Sequence, residues 1–353
     1  MEIRTMEHFF RKRHETAVFH LPETGEEIRH AIEYREDPLI GRTSVIGEGL
    51  LKKAAIFFGE TDPGLIDRMV RESRDHCFFC PPAVFETTPT YPPALCTGGR
   101  MQGNSTLLFP NLFPLAELHT VLTWPDHHYL TPSGFTPALL EDLFLLTRRF
   151  LAAVRHSLSD IRFFSLNCNY MPPAGASILH PHFQLLGTRE PAHRLREIIE
   201  AAVRWHNRYG ESYWDALIRA ESAAEERWIG QTGNWYWVTA WSPLGSNEVI
   251  GIHQSKPTLF DLNGDDWSHL ASGLNKVLAE YDARKYSSFN LCLTGGCCDV
   301  LDGQRCVIRT ITRQNVKSLY RNDEYFLQKL HGIELIVSPP EHLAADLRPR
   351  FNP

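Results

Sequence analysis

The segment His180-Pro181-His182-Phe183-Gln184 holds the residues best equipped for chemistry in this chain. On an extended strand alternate side chains share a face, so Ile178, His180, His182 and Gln184 point one way while Leu179, Pro181, Phe183 and Leu185 point the other. The two imidazoles then stand roughly 6.6 Å apart at the backbone, far enough for separate tasks and near enough to tune one another. A neutral imidazole nitrogen is a competent nucleophile near neutral pH, because its reference pKa is about 6.5. A carboxamide such as that of Gln184 can donate hydrogen bonds to an oxyanion without titrating. Upstream, Ala174-Gly175-Ala176-Ser177 supplies small residues through which a chain can turn its backbone N–H groups toward an anion. Together these residues describe a phosphate site; a metal pair, or two exposed strand histidines, are the other readings of the same spacing.

A second motif is Cys77-Phe78-Phe79-Cys80. Two thiolates at this spacing suit a zinc knuckle. A redox pair would need a thioredoxin-like strand and helix around it, which the sequence lacks, and two buried apolar cysteines would leave the spacing unexplained. Cys297-Cys298 follows Gly295-Gly296 and reads as a glycine-rich turn, since adjacent cysteines do not easily serve one tetrahedral site.

The elements that must carry these groups follow from periodicity. Residues 1 to about 75, with their glycines and Asp62-Pro63-Gly64, read as loops between short elements. Strand-like sequence over 106–124 is interrupted at Pro110-Asn111 and Pro114 and stops at Pro125-Asp126. Thr136 before Pro137 is a helix start, and Leu139, Leu140, Leu143, Leu146, Phe150 and Val154 mark one apolar face. Strands over 161–168 and 178–186 flank the loop at Pro172-Pro173-Ala174-Gly175. A helical connector over 192–228, broken near Tyr209-Gly210, leads to strands over 235–242, 249–253, 289–294 and 306–313. Helices near 266–281, from about 325 and over 340–346 complete the second half. Trp235, Trp237 and Trp241 are expected to fill the core or an interface, and Arg309 and Arg313 to be solvated strand charges. Both halves are antiparallel-leaning α+β units.

With these residues in view, the run Asn169-Tyr170-Met171-Pro172-Pro173-Ala174-Gly175-Ala176-Ser177-Ile178-Leu179-His180-Pro181-His182-Phe183-Gln184 resembles the active-site segment of the galactose-1-phosphate uridylyltransferases, the transferase branch of the histidine-triad superfamily. Phe109-Pro110-Asn111-Leu112-Phe113-Pro114 resembles the family's nucleotide-contacting stretch, and Trp124-Pro125-Asp126-His127 its following strand end. The likeness covers residues 75 to 190 well and the rest in outline. It implies a duplicated histidine-triad-like α+β fold, with a catalytic domain over 1–190, a helical connector over 191–230 and a second such domain over 231–353. It implies that His182 is a nucleophile forming a nucleotidyl-histidine intermediate, with Gln184 and Ser177 assisting and Asn111, Asn169, Ser177 and Gln184 contacting substrate. Gln328 and Lys329 fall near a segment that contacts the sugar diphosphate. The resemblance also implies one structural Zn²⁺ per chain on Cys77, Cys80, His127 and His180, with His128 and His119 as alternative third ligands. Its second metal would sit on a C-terminal strand, but residues 306–313 contain no histidine and no such site is expected. One departure is Phe183, where the transferases usually carry glycine; this bears on which acceptor fits.

The expected activity is therefore transfer of a nucleoside monophosphate from a nucleotide sugar to a sugar 1-phosphate. A phosphorylase that uses inorganic phosphate on a nucleotide sugar or dinucleoside polyphosphate is the close alternative, and a non-catalytic nucleotide-binding protein the distant one. Related hydrolases commonly carry a third histidine where Gln184 stands. A homodimer is the family's usual assembly. The 353 residues leave room for two domains, and 43% hydrophobic with 22% charged residues is a globular balance. A formal charge of -6 argues against nucleic acid as partner. The absence of a signal-like or spanning apolar run argues against a membrane and for the cytoplasm.

Overall fold

The computed structural model describes residues 9–47, 50, 58–297, 303–320 and 322–352; Cys298 and part of the early glycine-bearing stretch lie outside the described residues. The chain begins with β1 (Lys12–His20), β2 (Glu27–Glu36) and β3 (Thr43–Gly47), then α1 (Pro63–Arg74), α2 (Ala83–Thr87), β4 (Met101–Gln102), β5 (Leu107–Pro110) and β6 (Leu118–Thr123). Next come α3 (Pro137–Ser157), β7 (Phe163–Tyr170), β8 (His182–Thr188), α4 (His193–Tyr209) and α5 (Tyr213–Ala224). The second half is β9 (Trp228–Thr232), β10 (Trp235–Thr239), β11 (Val249–His253), α6 (Gly264–Ala283), β12 (Phe289–Thr294), β13 (Val307–Thr312), α7 (Phe326–His331), β14 (Glu334–Ile336) and α8 (Pro340–Phe351).

Ten of these strands form one sheet in the order β4-β5-β6-β8-β7-β12-β13-β11-β10-β9. Read inward from either edge, the order is the same: three strands, a long helix on one face, then a returning pair whose second member inserts beside the third strand. This is the duplicated histidine-triad-like α+β fold that the sequence implies. The halves join edge to edge where β7 pairs antiparallel with β12, from Phe289↔Tyr170 to Thr294↔Ser165.

Period-2 alternation separates the faces of this sheet. Along β7, Phe164, Leu166, Cys168 and Tyr170 are buried against the helices, while Ser165, Asn167 and Asn169 turn the other way. The covering helices start as their sequences require: Thr136 Oγ1 accepts from Leu139 N ahead of Pro137, and Asn263 and Asp266 form a reciprocal capping box on α6. Phe135, Leu140, Leu143, Phe144, Phe150, Trp267, Leu270 and Leu274 fill the core between them. Phe183 joins that core, edge-on to Trp124 at 5.9 Å, so its ring lies on the face opposite His182 and Gln184. Trp235 and Trp237 are fully buried, as expected, with their indole N–H groups on Asp266 O and Thr232 Oγ1.

Two expectations need correction. The region read as loops between short elements holds the long strands β1 and β2 with β3, which with β14 make a four-stranded sheet, and Asp62-Pro63-Gly64 is not a loop but the start of α1, with Asp62 as its N-cap. β1 is almost wholly exposed and β2 buries only Arg35, so the ribbon carries no hydrophobic alternation to read. The connector breaks where its sequence marks it: α4 and α5 part at Gly210, whose φ of 74° ends the first. Neither Arg309 nor Arg313 is a solvated charge: Arg309 pairs with buried Glu248 at 2.7 Å, and Arg313 pairs with Asp323. No helix among the described residues is long and apolar enough to cross a membrane.

Candidate active site and metal centre

The two-cysteine turn follows directly on α1. Cys80 N donates back to Cys77 O at 3.3 Å, so both thiols face the same side, toward the end of β6. There Cys77, Cys80, His128 and His180 bring their ligand atoms within 4.8 Å of one another. Cys80 Sγ lies 3.2 Å from His128 Nδ1 and 3.4 Å from His180 Nδ1, and Cys77 Sγ lies 3.4 Å from the same His180 atom. The cluster's second histidine is thus His128, not His127. His127 closes a turn on Trp124 O and is half-buried, whereas His128 enters the interior just after it.

Both far ring nitrogens are engaged in a way that frees Nδ1 for a metal. His180 Nε2–H donates to Trp124 O at 2.9 Å. Ser73 Oγ donates its own proton to Met69 O and so accepts from His128 Nε2–H at 3.0 Å. Oriented second partners of this kind are the usual companions of metal-bound imidazoles. Burial, with Cys77 alongside, pushes the Cys80 thiol up to about 12, and burial lowers His180 to about 4. A coordinated cation offsets the first penalty by stabilising the thiolate and uses the neutral imidazole that the second favours. Two sulfurs and two nitrogens form a complete tetrahedral set, so the residues fit a structural metal with no position left open.

His182 is the first residue of β8, opposite Thr123 of β6. It is only 7% exposed, and its Nδ1–H donates to the His180 carbonyl at 2.8 Å. The tautomer-fixing carbonyl therefore belongs to a metal-cluster residue. Nε2 keeps its lone pair, and burial holds the ring's pKa below its ordinary value. Phe79, between the two cysteines, sets its ring edge-on to His182 at 5.4 Å.

Two hydrogen-bond relays orient the carboxamides beside it. In the first, Leu115 N–H donates to His119 Nδ1 at 3.0 Å; His119 Nε2 must then carry the proton, which it gives to Gln184 Oε1 at 2.7 Å. Asn111 Nδ2 reaches the same oxygen at 3.5 Å. In the second, Arg313 Nη1 donates to Asn290 Oδ1 and Asn290 Nδ2 donates to Asn169 Oδ1, each at 2.7 Å. Each relay starts at a group that can only donate, so the carboxamide at its end is left with an NH₂ to offer. The antiparallel register that sets Asn167 opposite Gln184 runs toward Asn169 on one strand and His182 on the other.

Ser177 is exposed on the loop between β7 and β8, after Gly175 in the left-handed region at φ 86°. Asn169 also lines a largely apolar cleft of about 490 Å³, in which Asn167, Asn290, Arg194, Glu248 and Arg309 stand among Phe163, Leu186, Ile198 and Leu244. Gln328 and Lys329 line a separate cavity of about 230 Å³ that shares Arg194, Leu244 and Ile311 with the cleft. There the Gln328 carboxamide is occupied by Tyr325 N, Asp323 O and Glu334, and Lys329 by Glu324. Sequence reasoning missed His119 as the partner of Gln184, and Asn290, Ser73 and Arg194 altogether. Strand register alone brings His119 to Gln184, and no motif announces it.

No family model matches this sequence. A relative of uncharacterised function from Archaeoglobus fulgidus is 26% identical over 340 residues, which span 96% of this chain and 98% of its own. Among solved structures, an ADP-glucose phosphorylase from Arabidopsis thaliana with bound ADP-glucose superposes with a TM-score of 0.69 at 14% identity, over 90% of this chain and 98% of its own. A GalT-like protein from Arabidopsis thaliana gives 0.67 at 14% identity, over 89% and 98%. A uridylyltransferase mutant gives 0.64 at 16% identity, over 90% and 98%. At these identities the likeness is one of fold: the chain is built on the same duplicated framework as these proteins.

Proposed function

We propose that this protein transfers a nucleoside monophosphate group from a nucleotide sugar, through a covalent intermediate on His182, to a sugar 1-phosphate. The observation that carries the proposal is the His182 ring itself: its Nδ1–H is committed to the His180 carbonyl, and its Nε2 is unprotonated beside two oriented carboxamides. In the first step Nε2 forms a bond to the α-phosphorus and the bond from that phosphorus to the bridging oxygen breaks, releasing the sugar phosphate. In the second, the acceptor's phosphate oxygen attacks the same phosphorus and returns the electron pair to Nε2. The NH₂ groups of Gln184 and Asn169 stabilise the oxygens on which charge builds, while Asn111 steadies Gln184. Ser177 binds phosphate from its loop. The half over 1–190 does this chemistry and the half over 231–353 is its structural counterpart beyond the 191–230 connector. We assign the ion held by Cys77, Cys80, His128 and His180 as zinc, one per chain, from its mixed thiolate and imidazole donors. The exposed side chains of Leu112, Phe113 and Leu115, beside Asn111, support a homodimer.

Inorganic phosphate as acceptor is the second reading, favoured by the likeness to an ADP-glucose phosphorylase. Labelled UDP-glucose, ADP-glucose or a diadenosine polyphosphate is expected to leave an acid-labile nucleotide on His182 and to release the sugar phosphate or nucleotide. Chasing the isolated adduct with a sugar 1-phosphate, and separately with phosphate, then selects between transfer and phosphorolysis. Tight binding with neither adduct nor turnover would make this a nucleotide-binding protein and end the proposal.

His119 should act by positioning. His119→Ala frees the Gln184 carboxamide to rotate, and kcat is expected to fall about 10- to 100-fold with KM little changed. His119→Gln, which can still donate to Gln184 Oε1, should recover part of that loss. Equal kcat in all three proteins removes His119 from the mechanism.

A further inference from the structure

The strand pair that joins the two halves carries a side chain whose hydrogen bonds are divided among three elements. Asn290 of β12 stands opposite Asn169 of β7, and both turn away from the helix-covered face of the sheet. Residues directly opposed in an antiparallel pair have Cβ atoms about 5 Å apart, close enough for two short carboxamides to meet. Asn290 Nδ2 donates to Asn169 Oδ1 at 2.7 Å and to the Ala174 carbonyl at 2.8 Å, so both of its protons are engaged. Its Oδ1 accepts from Arg313 Nη1 at 2.7 Å. The orientation of this amide is fixed from two sides. A guanidinium can only donate and a backbone carbonyl can only accept, so a flipped Asn290 would lose Arg313 and Ala174 together.

Ala174 closes the short 3-10 turn Pro172–Ala174, which leads through Gly175 to Ser177. The turn hangs from Met171, whose φ of 70° and ψ of 157° lie in a region that residues with a side chain seldom occupy. Such a backbone persists where its surroundings over-determine it. Within the loop, Ala174 N and Ala176 N both donate to Met171 O, at 3.0 and 3.3 Å. The bond from Asn290 to Ala174 O adds a tie from the other half of the molecule. Behind Asn290, Arg313 is itself clamped, with Nε on one oxygen of Asp323 and Nη2 on the other.

We propose that Asn290 is a positioning residue for the phosphate chemistry of the first half. Anchored by Arg313, it holds the Asn169 carboxamide and the Ala174 turn in one fixed relation, so that the Asn169 NH₂ and the loop bearing Ser177 address the same phosphoryl group. The inference rests on the reading of His182 as the nucleophile. It gives a task in that reaction to a half whose own strand β13 carries no histidine.

The test follows single-turnover labelling of His182 by excess labelled ADP-glucose or UDP-glucose in the full-length protein. Asn290→Asp keeps the size of the side chain and its acceptor for Arg313 but has no N–H to give. Its melting temperature should stay near that of wild type, while the adduct forms about 10- to 100-fold more slowly and the half-saturating nucleotide concentration changes less than about threefold. Asn290→Ala should show a similar loss of rate. Introduced beside Asn169→Ala, it should cost at least about threefold less than it does in wild type, because the two residues act on one group. Hydrogen exchange at the amides of residues 174–177 should quicken about tenfold or more in Asn290→Ala. No adduct in wild type sinks the reading of His182 and this inference with it. An adduct that forms at the wild-type rate in Asn290→Asp leaves that reading standing and overturns the inference alone, as does unchanged exchange at 174–177 in Asn290→Ala or an undiminished loss in the double variant.

Discussion

Replacing His182 by alanine is expected to lower kcat at least about 10⁴-fold and to abolish the covalent nucleotide adduct, the range seen when an enzyme loses its nucleophile but keeps its binding groups. The expectation is this large because nothing else at the site can take over. His180 is turned away, its Nδ1 toward the two cysteines and its Nε2 on Trp124 O, and His119 is committed to Gln184. His182 is nearly buried, so the alanine variant must be checked for a shift in melting temperature, and His182→Gln serves as the second variant because it fills more of the space. Both should bind the nucleotide sugar with near wild-type affinity, since Gln184 and Asn169 are held by partners other than His182. Free imidazole added to the alanine variant should restore measurable turnover. Undiminished turnover in either variant would sink the covalent mechanism.

What could be read from the sequence divides along the line between local and long-range information. The helix over 137–157 announced itself through Thr136, Pro137 and a run of leucines at helical spacing, all of it local. Strand alternation placed Phe183 and Gln184 on opposite faces, and the structure keeps them there. The Cys77-x-x-Cys80 spacing pointed to a metal and the structure closes a cluster around it, but choosing between His127 and His128 required the shape of a turn that both residues share. Arg313 looked like a surface charge because its partners, Asp323 and Asn290, are distant in sequence and meet it only once the second half has folded. The β1–β2 ribbon was invisible for the opposite reason. Its strands are held by backbone pairing from Lys12↔Arg35 to His20↔Glu27, with almost no buried side chain to betray them.

The metal cluster carries the second large effect. Metal analysis of the purified protein should return about one zinc per chain, and Cys77→Ser should lose it. Binding free energies of about 10–16 kcal/mol in isolated zinc-binding peptides set the upper scale, and in a domain with its own core several kcal/mol of that should appear as lost stability and a melting temperature lower by many degrees. His128→Ala should behave like Cys77→Ser, whereas His127→Ala should retain the ion; the reverse result would restore the ligand set that the sequence resemblance implied. Activity should fall with the metal even though the ion touches no substrate. The carbonyl that fixes the His182 tautomer belongs to His180, so releasing the His180 ring loosens the hydrogen bond that keeps Nε2 unprotonated and aimed. The same coupling predicts an order of events under a slow chelator: zinc release and loss of turnover together, with unfolding afterwards. Turnover that outlasts complete removal of the ion would show that the His180 backbone is held without it, by Trp124 O on the ring and by Thr123 Oγ1 on the neighbouring Pro181 carbonyl.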